Sequence, residues 1–219
     1  MSAARKNVHV INHPLAQAIL TELRNKNTPQ IPFRKGLVKL GRLTAVEIIS
    51  SFPTKEVSVE TPLNVKAKGV VVPDMEHIVI INVLRAATAL VEGMLKSFPY
   101  ARLGVLAVQR VEEKEGIENV KPVKFFVKIP KFNGDDTVIV ADPMLATGGT
   151  LLTTIAEIYK IGKPKRLILA SVISCDYGID QVTKKYPEAE LYTVAIDHEL
   201  NTHAYIVPGL GDAGDRSFG

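Results

Sequence analysis

The amino-acid sequence predicts an α/β fold: a mainly parallel, twisted sheet with helices on both faces, plus a projecting β-hairpin and a flap. Three observations lead there. Uninterrupted apolar runs such as Ile78 to Val83 alternate with stretches of helical period, and strands that are apolar throughout belong to parallel sheets covered on both sides. Between Glu56 and Val72, by contrast, charge and valine alternate as in an exposed hairpin. Finally, 219 residues, 46% of them hydrophobic, with no repeat and no low-complexity linker, fit one domain spanning residues 1–219.

The elements follow in order. From Pro14 to Asn25, Leu15, Ile19, Leu20 and Leu23 recur near helical spacing, and Phe33, Leu37, Leu40, Val46 and Ile49 mark a second, longer helix. Val57 to Glu60 and Val65 to Val72, broken by Pro62 and Asn64, form the hairpin. Ile78 to Val83, the helical stretch Ala86 to Lys96 and the strand Leu103 to Val108 make a βαβ unit. Val111 to Lys131, richly charged around Gly116 and apolar at Phe125 to Ile129, is the second hairpin or flap. Strand and helix then alternate through Thr137 to Ala141, Leu151 to Tyr159, Arg166 to Ile173, Gly178 to Lys185 and Leu191 to Ile196. Ligands of such sheets bind outside the carboxyl ends of the strands.

Composition narrows the function. A net charge of +4, not concentrated in one run, suits small anionic ligands and gives no nucleic-acid-binding face. Cys175 is the single cysteine, so a disulfide within the chain and a cysteine-based zinc site are excluded, and a buried thiol in a reducing interior is expected. The N-terminal segment carries basic residues without an apolar core behind them, and no apolar run approaches the roughly 20 residues of a membrane span. A cytoplasmic protein is expected. His9, His13, His77, His198 and His203 lack metal-ligand spacing and are read as surface or capping residues, and Asp197-His198-Glu199 as a connecting loop.

The most informative segment is Val138-Ile-Val-Ala-Asp142-Pro143-Met144-Leu145-Ala146-Thr147-Gly148-Gly149-Thr150. A buried strand ends in one acid and runs through small residues into a helix, whose free N–H groups and positive dipole end suit a phosphate. Thr147 and Thr150 add hydroxyl donors, and Asp142 suits the hydroxyls of a sugar attached to that phosphate. Helix capping alone would account for the threonines and glycines but not for the acid. Near the end of the sequence, Tyr205-Ile206-Val-Pro-Gly209-Leu-Gly211-Asp212-Ala213-Gly214 holds glycines that leave main-chain groups open to a flat heterocycle. Its G-x-G-x-x-G spacing opens no N-terminal βαβ unit and so is not a dinucleotide fingerprint. Arg85 and Arg110, each following an apolar strand, offer guanidinium forks for pyrophosphate, with Arg102 as a lesser candidate for phosphate or for an intersubunit contact.

Asp142 to Thr150 resembles the phosphoribosyl pyrophosphate (PRPP) motif of type I phosphoribosyltransferases, and both it and the Gly211-Asp212-Ala213 ending are similar to the uracil-specific branch. That resemblance implies the type I phosphoribosyltransferase fold and formation of UMP and diphosphate from uracil and PRPP. It places Ala146 to Thr150 on the 5′-phosphate, Asp142 on the ribose hydroxyls, Ile206, Gly211 and Ala213 on uracil, and Asp212 on both uracil and PRPP with its metal. The turn Leu84-Arg85-Ala86-Ala87-Thr88 becomes the pyrophosphate loop, with Ala87 where relatives commonly have glycine. Arg85, Arg110 and Asp212 are then the catalytic set, PRPP brings Mg²⁺, and the flap closes over PRPP to exclude water. Regulatory GTP is expected near the basic stretch Lys35-Gly36-Leu37-Val38-Lys39, for which solvent exposure is the plainer account, and CTP is expected as a further effector without an assigned site. The valine-rich hairpin would be an edge liability in a monomer, so a homodimer or homotetramer is expected. A purine or orotate phosphoribosyltransferase and a non-catalytic, RNA-binding regulator are the alternatives.

Overall fold

The computed structural model describes residues 6–112 and 120–219, with the main chain alone at 109–112 and 120–123. In chain order the elements are β1 (Val8–Val10), α1 (Pro14–Arg24), α2 (Gln30–Ile49), β2 (Lys55–Glu60), β3 (Lys66–Val71), β4 (Ile78–Leu84), α3 (Thr88–Leu95), β5 (Arg102–Glu112), β6 (Val120–Lys128), β7 (Thr137–Ala141), β8 (Met144–Leu145), α4 (Gly149–Ile161), β9 (Arg166–Cys175), α5 (Asp176–Lys185), β10 (Glu190–Asp197), β11 (Glu199–Leu200), β12 (Ile206–Val207) and α6 (Ala213–Phe218).

Among the described residues an eight-stranded sheet runs in the order β1-β10-β9-β7-β4-β5-β6, with β8 beside β9. Every pairing in it is parallel except β5 with β6. The connection β4–α3–β5 steps toward one edge, whereas β7–α4–β9–α5–β10 steps toward the other. With crossovers of the usual right hand, opposite steps put α3 on one face and α4 and α5 on the other. Contacts agree: α3 packs on α2, and α4 on α5. The order reverses between β4 and β7, and at such a switch point the carboxyl ends part to leave a crevice.

The central strands follow from their composition: Ile78, Val79, Ile80 and Ile81 of β4 and Val138, Ile139 and Val140 of β7 are fully buried. In α2 the buried stripe is Phe33, Gly36, Leu37, Leu40, Gly41, Thr44, Ala45 and Ile48, a continuous helical face. Val46, expected on that face, is 49% exposed, because small residues carry the stripe onward. They let α3 come close: a Cβ on Gly41 would stand 2.0 Å from the Leu90 carbonyl oxygen.

Other differences have simple causes. Leu15 lies off the α1 stripe of Ala16, Ile19, Leu20 and Leu23 and is exposed. Val8–Val10, read only as part of a basic N-terminal stretch, pairs with Leu191 to Thr193 as an edge strand. Phe125 and Phe126, on the opposite edge strand, remain exposed, while Val127 and Ile129 pack on the core. The hairpin of β2 and β3 forms a separate two-stranded sheet with Val57, Val59, Ala67, Gly69 and Val71 on one face. Cys175 is buried, and burial pushes its thiol up. No helix of the described residues is long and apolar enough to cross a membrane.

Candidate active site

At the switch point lies a cleft of about 560 Å³. One wall is the end of β4 and the turn after it, Val83 to Ala86; the floor includes Asp142, Met144, Ala146 and Thr150; the far wall is His203 to Ile206 and Gly211 to Asp215. A smaller hollow beside it is enclosed by Asp142, Met144 to Gly148, Thr150 and Leu151.

The floor is built from regular structure. Asp142 follows β7 directly, is buried, and takes the Met144 N–H on Oδ1 at 3.2 Å. The next residues form β8, a two-residue strand hidden in what the sequence presents as a loop, paired to Ile173 and Ser174 of β9. The Pro143 carbonyl accepts from Val172 and Ile173 N–H at 3.1 and 3.0 Å, so Pro143 ties the loop to the sheet and faces neither cavity. Gly148 has φ +86°, a left-handed conformation that reverses the chain before α4. Gly149 opens α4, its N–H reaching Thr147 Oγ1 at 3.5 Å. Leu145, Ala146, Thr147, Gly148 and Thr150 therefore ring the hollow at the amino end of a 13-residue helix.

Arg85 sits at the rim, 59% exposed. One guanidinium nitrogen pairs with Asp215 Oδ1 and the other donates to the Gly219 carbonyl, both at 3.0 Å. The Leu84–Arg85 peptide is cis. Ala87 has φ −78° and ψ −8°, an ordinary right-handed conformation open to any residue, so alanine fits the turn. Arg110 lies on β5, its main chain opposite Pro122 of β6; its side chain, like flap residues 113–119, is outside the described residues. Arg102 is at the amino end of β5, away from the cleft, held by Asp136 and the Lys131 carbonyl.

The far wall is irregular. Ile206 is buried, and Gly211, at φ +76°, precedes Asp212, whose Oδ1 accepts the Asp215 N–H at 3.0 Å and caps α6. Asn201 Oδ1 takes the N–H groups of His203 and Tyr205 at 3.0 and 2.9 Å, shaping the turn that brings His203 to the cleft. Ile206, Gly211, Asp212 and Ala213 thus share one wall, facing Arg85, Asp142 and the phosphate loop. Lys35 to Lys39 line neither cavity: the two lysines are exposed one turn apart, while Gly36 and Leu37 pack in the core.

Sequence reasoning missed Arg24, Asp197 and Arg216. Asp197, read as part of a connecting loop, ends β10 and is buried. Burial alone would raise its carboxyl, but the Arg24 guanidinium and the Gly209 N–H hold it below the usual carboxylate range. The available signal was an acid ending the last apolar strand and an arginine closing an amphipathic helix.

The family described as uracil phosphoribosyltransferase matches residues 10–219. A uracil phosphoribosyltransferase of Pyrobaculum islandicum is 54% identical over 96% of this chain and 98% of its own length. One of Sulfurisphaera tokodaii is 50% identical over the same shares. Among solved structures, the AQ2163 protein from Aquifex aeolicus superposes with a TM-score of 0.86 at 31% identity, covering 96% of this chain and 97% of that one.

Proposed function

The chain belongs to the uracil phosphoribosyltransferase family, and from that premise we propose how its cleft is used. It is a pentosyltransferase that joins uracil to the ribose of PRPP, giving UMP and diphosphate. The observation that carries the residue roles is the facing of two walls: an acid and a helix amino end on one side, open glycine main chain on the other.

The loop Ala146 to Thr150 takes the 5′-phosphate on main-chain N–H groups and threonine hydroxyls, and Asp142 takes the ribose hydroxyls. Ile206, Gly211 and Ala213 hold uracil edge-on, so that N1 meets the sugar carbon from the face opposite the leaving group. The N1–C1 bond forms as the bond from C1 to diphosphate oxygen breaks, and the N1 proton is taken up by the departing diphosphate. Arg85, released from Asp215, and Arg110 neutralise the charge growing on diphosphate. No side-chain nucleophile is required.

Among the described residues no three acids, histidines or cysteines cluster as a metal cage. Mg²⁺ binds through substrate phosphates with few carboxylates, and Asp142 and Asp212, both on the cleft, fit that supporting part. Bound there, the ion would neutralise diphosphate oxygens.

The exposed apolar face of the hairpin, Val59 and Val71 with Leu63 and Val65 at its tip, supports a homodimer or homotetramer. Continuous burial in one core supports a single domain, and the buried lone cysteine suits a reducing cytoplasm. Regulation by GTP at Lys35 and Lys39 rests on their exposure and charge and, like that by CTP, is read from the rate with added nucleotide. Diphosphate release with PRPP, Mg²⁺ and uracil, cytosine, hypoxanthine or orotate tests the whole. Release with uracil alone is expected; preference for another base would reassign the Gly211–Ala213 wall.

A further inference from the structure

Behind the base-facing wall, outside the cleft, an ion pair grips one residue by both of its main-chain polar groups. Arg24, the last residue of α1, meets Asp197, the last residue of β10, through two hydrogen bonds of 2.7 Å. The same pair holds Gly209: its N–H donates to Asp197 Oδ2 at 2.9 Å, and its carbonyl accepts from Arg24 Nη1 at 2.8 Å. Both polar groups of a single residue are therefore fixed by side chains, one 12 and the other 185 positions away in sequence.

Gly209 is where such a grip has leverage. It has φ +58°, and a Cβ there would stand 2.1 Å from the Ile206 carbonyl oxygen, so the turn between Ile206 and Gly209 has no room for a side chain at that position. On one side lies Ile206, on the other Gly211 to Ala213, all on the cleft. Arg216 extends the attachment, donating to the carbonyls of Leu210, Leu23 and Asn25 and lying over the Phe33 ring at 4.1 Å. The carboxyl end of α1 thereby carries the base loop at two successive residues.

We propose that Arg24 and Asp197 are positioning residues for the pyrimidine base: by clamping Gly209 through the two peptide groups that flank it, they set the main-chain donors and acceptors of Gly211 to Ala213 at the spacing a uracil edge requires. This rests on the reading that those residues face the base. Neither side chain lines the cleft, so they act through the loop and not on the substrate. A bidentate fork with a third bond to a carbonyl is a task for guanidinium; an ammonium retains the charge without the planar geometry.

Steady-state kinetics of Arg24→Lys and Asp197→Asn, with each substrate varied at saturating levels of the other, test the assignment. A rise of tenfold or more in the KM for uracil is expected, with the KM for PRPP within twofold of wild type. Discrimination between uracil and cytosine should fall in parallel. The two substitutions act on one clamp, so the double variant should resemble the singles and not their product. An unchanged uracil KM in folded Arg24→Lys, or equal rises for both substrates, would overturn the proposal. If Arg24→Lys lowers the yield of folded protein, Asp197→Asn, which preserves side-chain volume, is read the same way. Gly211→Val separates the underlying reading: silence there sinks the base assignment, while a response there beside a silent Arg24→Lys sinks the clamp alone.

Discussion

The two walls of the cleft hold opposite ends of one reaction and are built in opposite ways. The phosphate side, Asp142 to Thr150, runs from a buried strand into a long helix, and main-chain bonds tie it to the adjacent β9. The base side, Tyr205 to Ala213, has a two-residue strand and two left-handed glycines, and it is held by Arg24, Asp197 and Arg216. The sheet itself makes the first wall; the second is suspended from side chains. A phosphate needs little more than N–H groups and positive potential, which any helix start provides. Discriminating one flat base from another requires main-chain groups at fixed spacing, and irregular chain keeps such spacing only when something outside it does the holding.

The contrast predicts where substitutions act. The largest effect belongs to Asp142→Ala, which removes the ribose anchor and leaves the Met144 N–H without its carboxylate; kcat/KM for PRPP should fall on the order of 10²- to 10³-fold in steady-state assays. Next, Gly209→Ala forces a methyl against the Ile206 carbonyl; a loss of about 1–3 kcal/mol in urea unfolding is expected, with uracil binding weakened far more than PRPP binding. Equal damage to both substrates would erase the distinction between the walls.

Acid should loosen the suspended wall first. A carboxyl whose folded pKa lies below its unfolded value of about 3.9 contributes stability that is complete above that value and lost as pH falls through the folded pKa. Asp197 is such a group. The thermal advantage of wild type over Asp197→Asn should therefore be constant at neutral and mildly acidic pH and shrink below about pH 4. A gap that instead widened toward low pH would contradict the sign. Smallest of all is Asp215→Ala: its pairing with Arg85 is exposed, with relative areas of 59% and 69%, so stability should change by no more than about 0.5 kcal/mol. The arginine, loosened from one of its two partners but still donating to the Gly219 carbonyl, should lower the KM for PRPP modestly.

Legibility in the sequence divides along the same line. Val138 to Thr150 reveals itself because strand, acid, small-residue loop and helix are contiguous, and the buried runs of β4 and β9 name the sheet by apolarity alone. The glycines of the base wall are visible too, but not their supports: Arg24 is 185 positions from Gly209, and only folding brings them together. The exposure of Phe125 and Phe126 on β6 was not legible either, because an apolar run marks a strand without saying whether a second layer covers it. Val8–Val10 is too short and too mixed for any periodicity, and it becomes a strand because β10 offers an open edge.

That small edge strand bears on how the protein is handled at the bench. The family match begins at residue 10, inside Val8–Val10, so an expression boundary drawn there would strip β10 of its neighbour. The bared row of amide and carbonyl groups would offer itself to any other unpaired strand in solution. Material shortened in that way should precipitate on concentration while its catalytic cleft, on the far side of β9 from that edge, stays chemically complete.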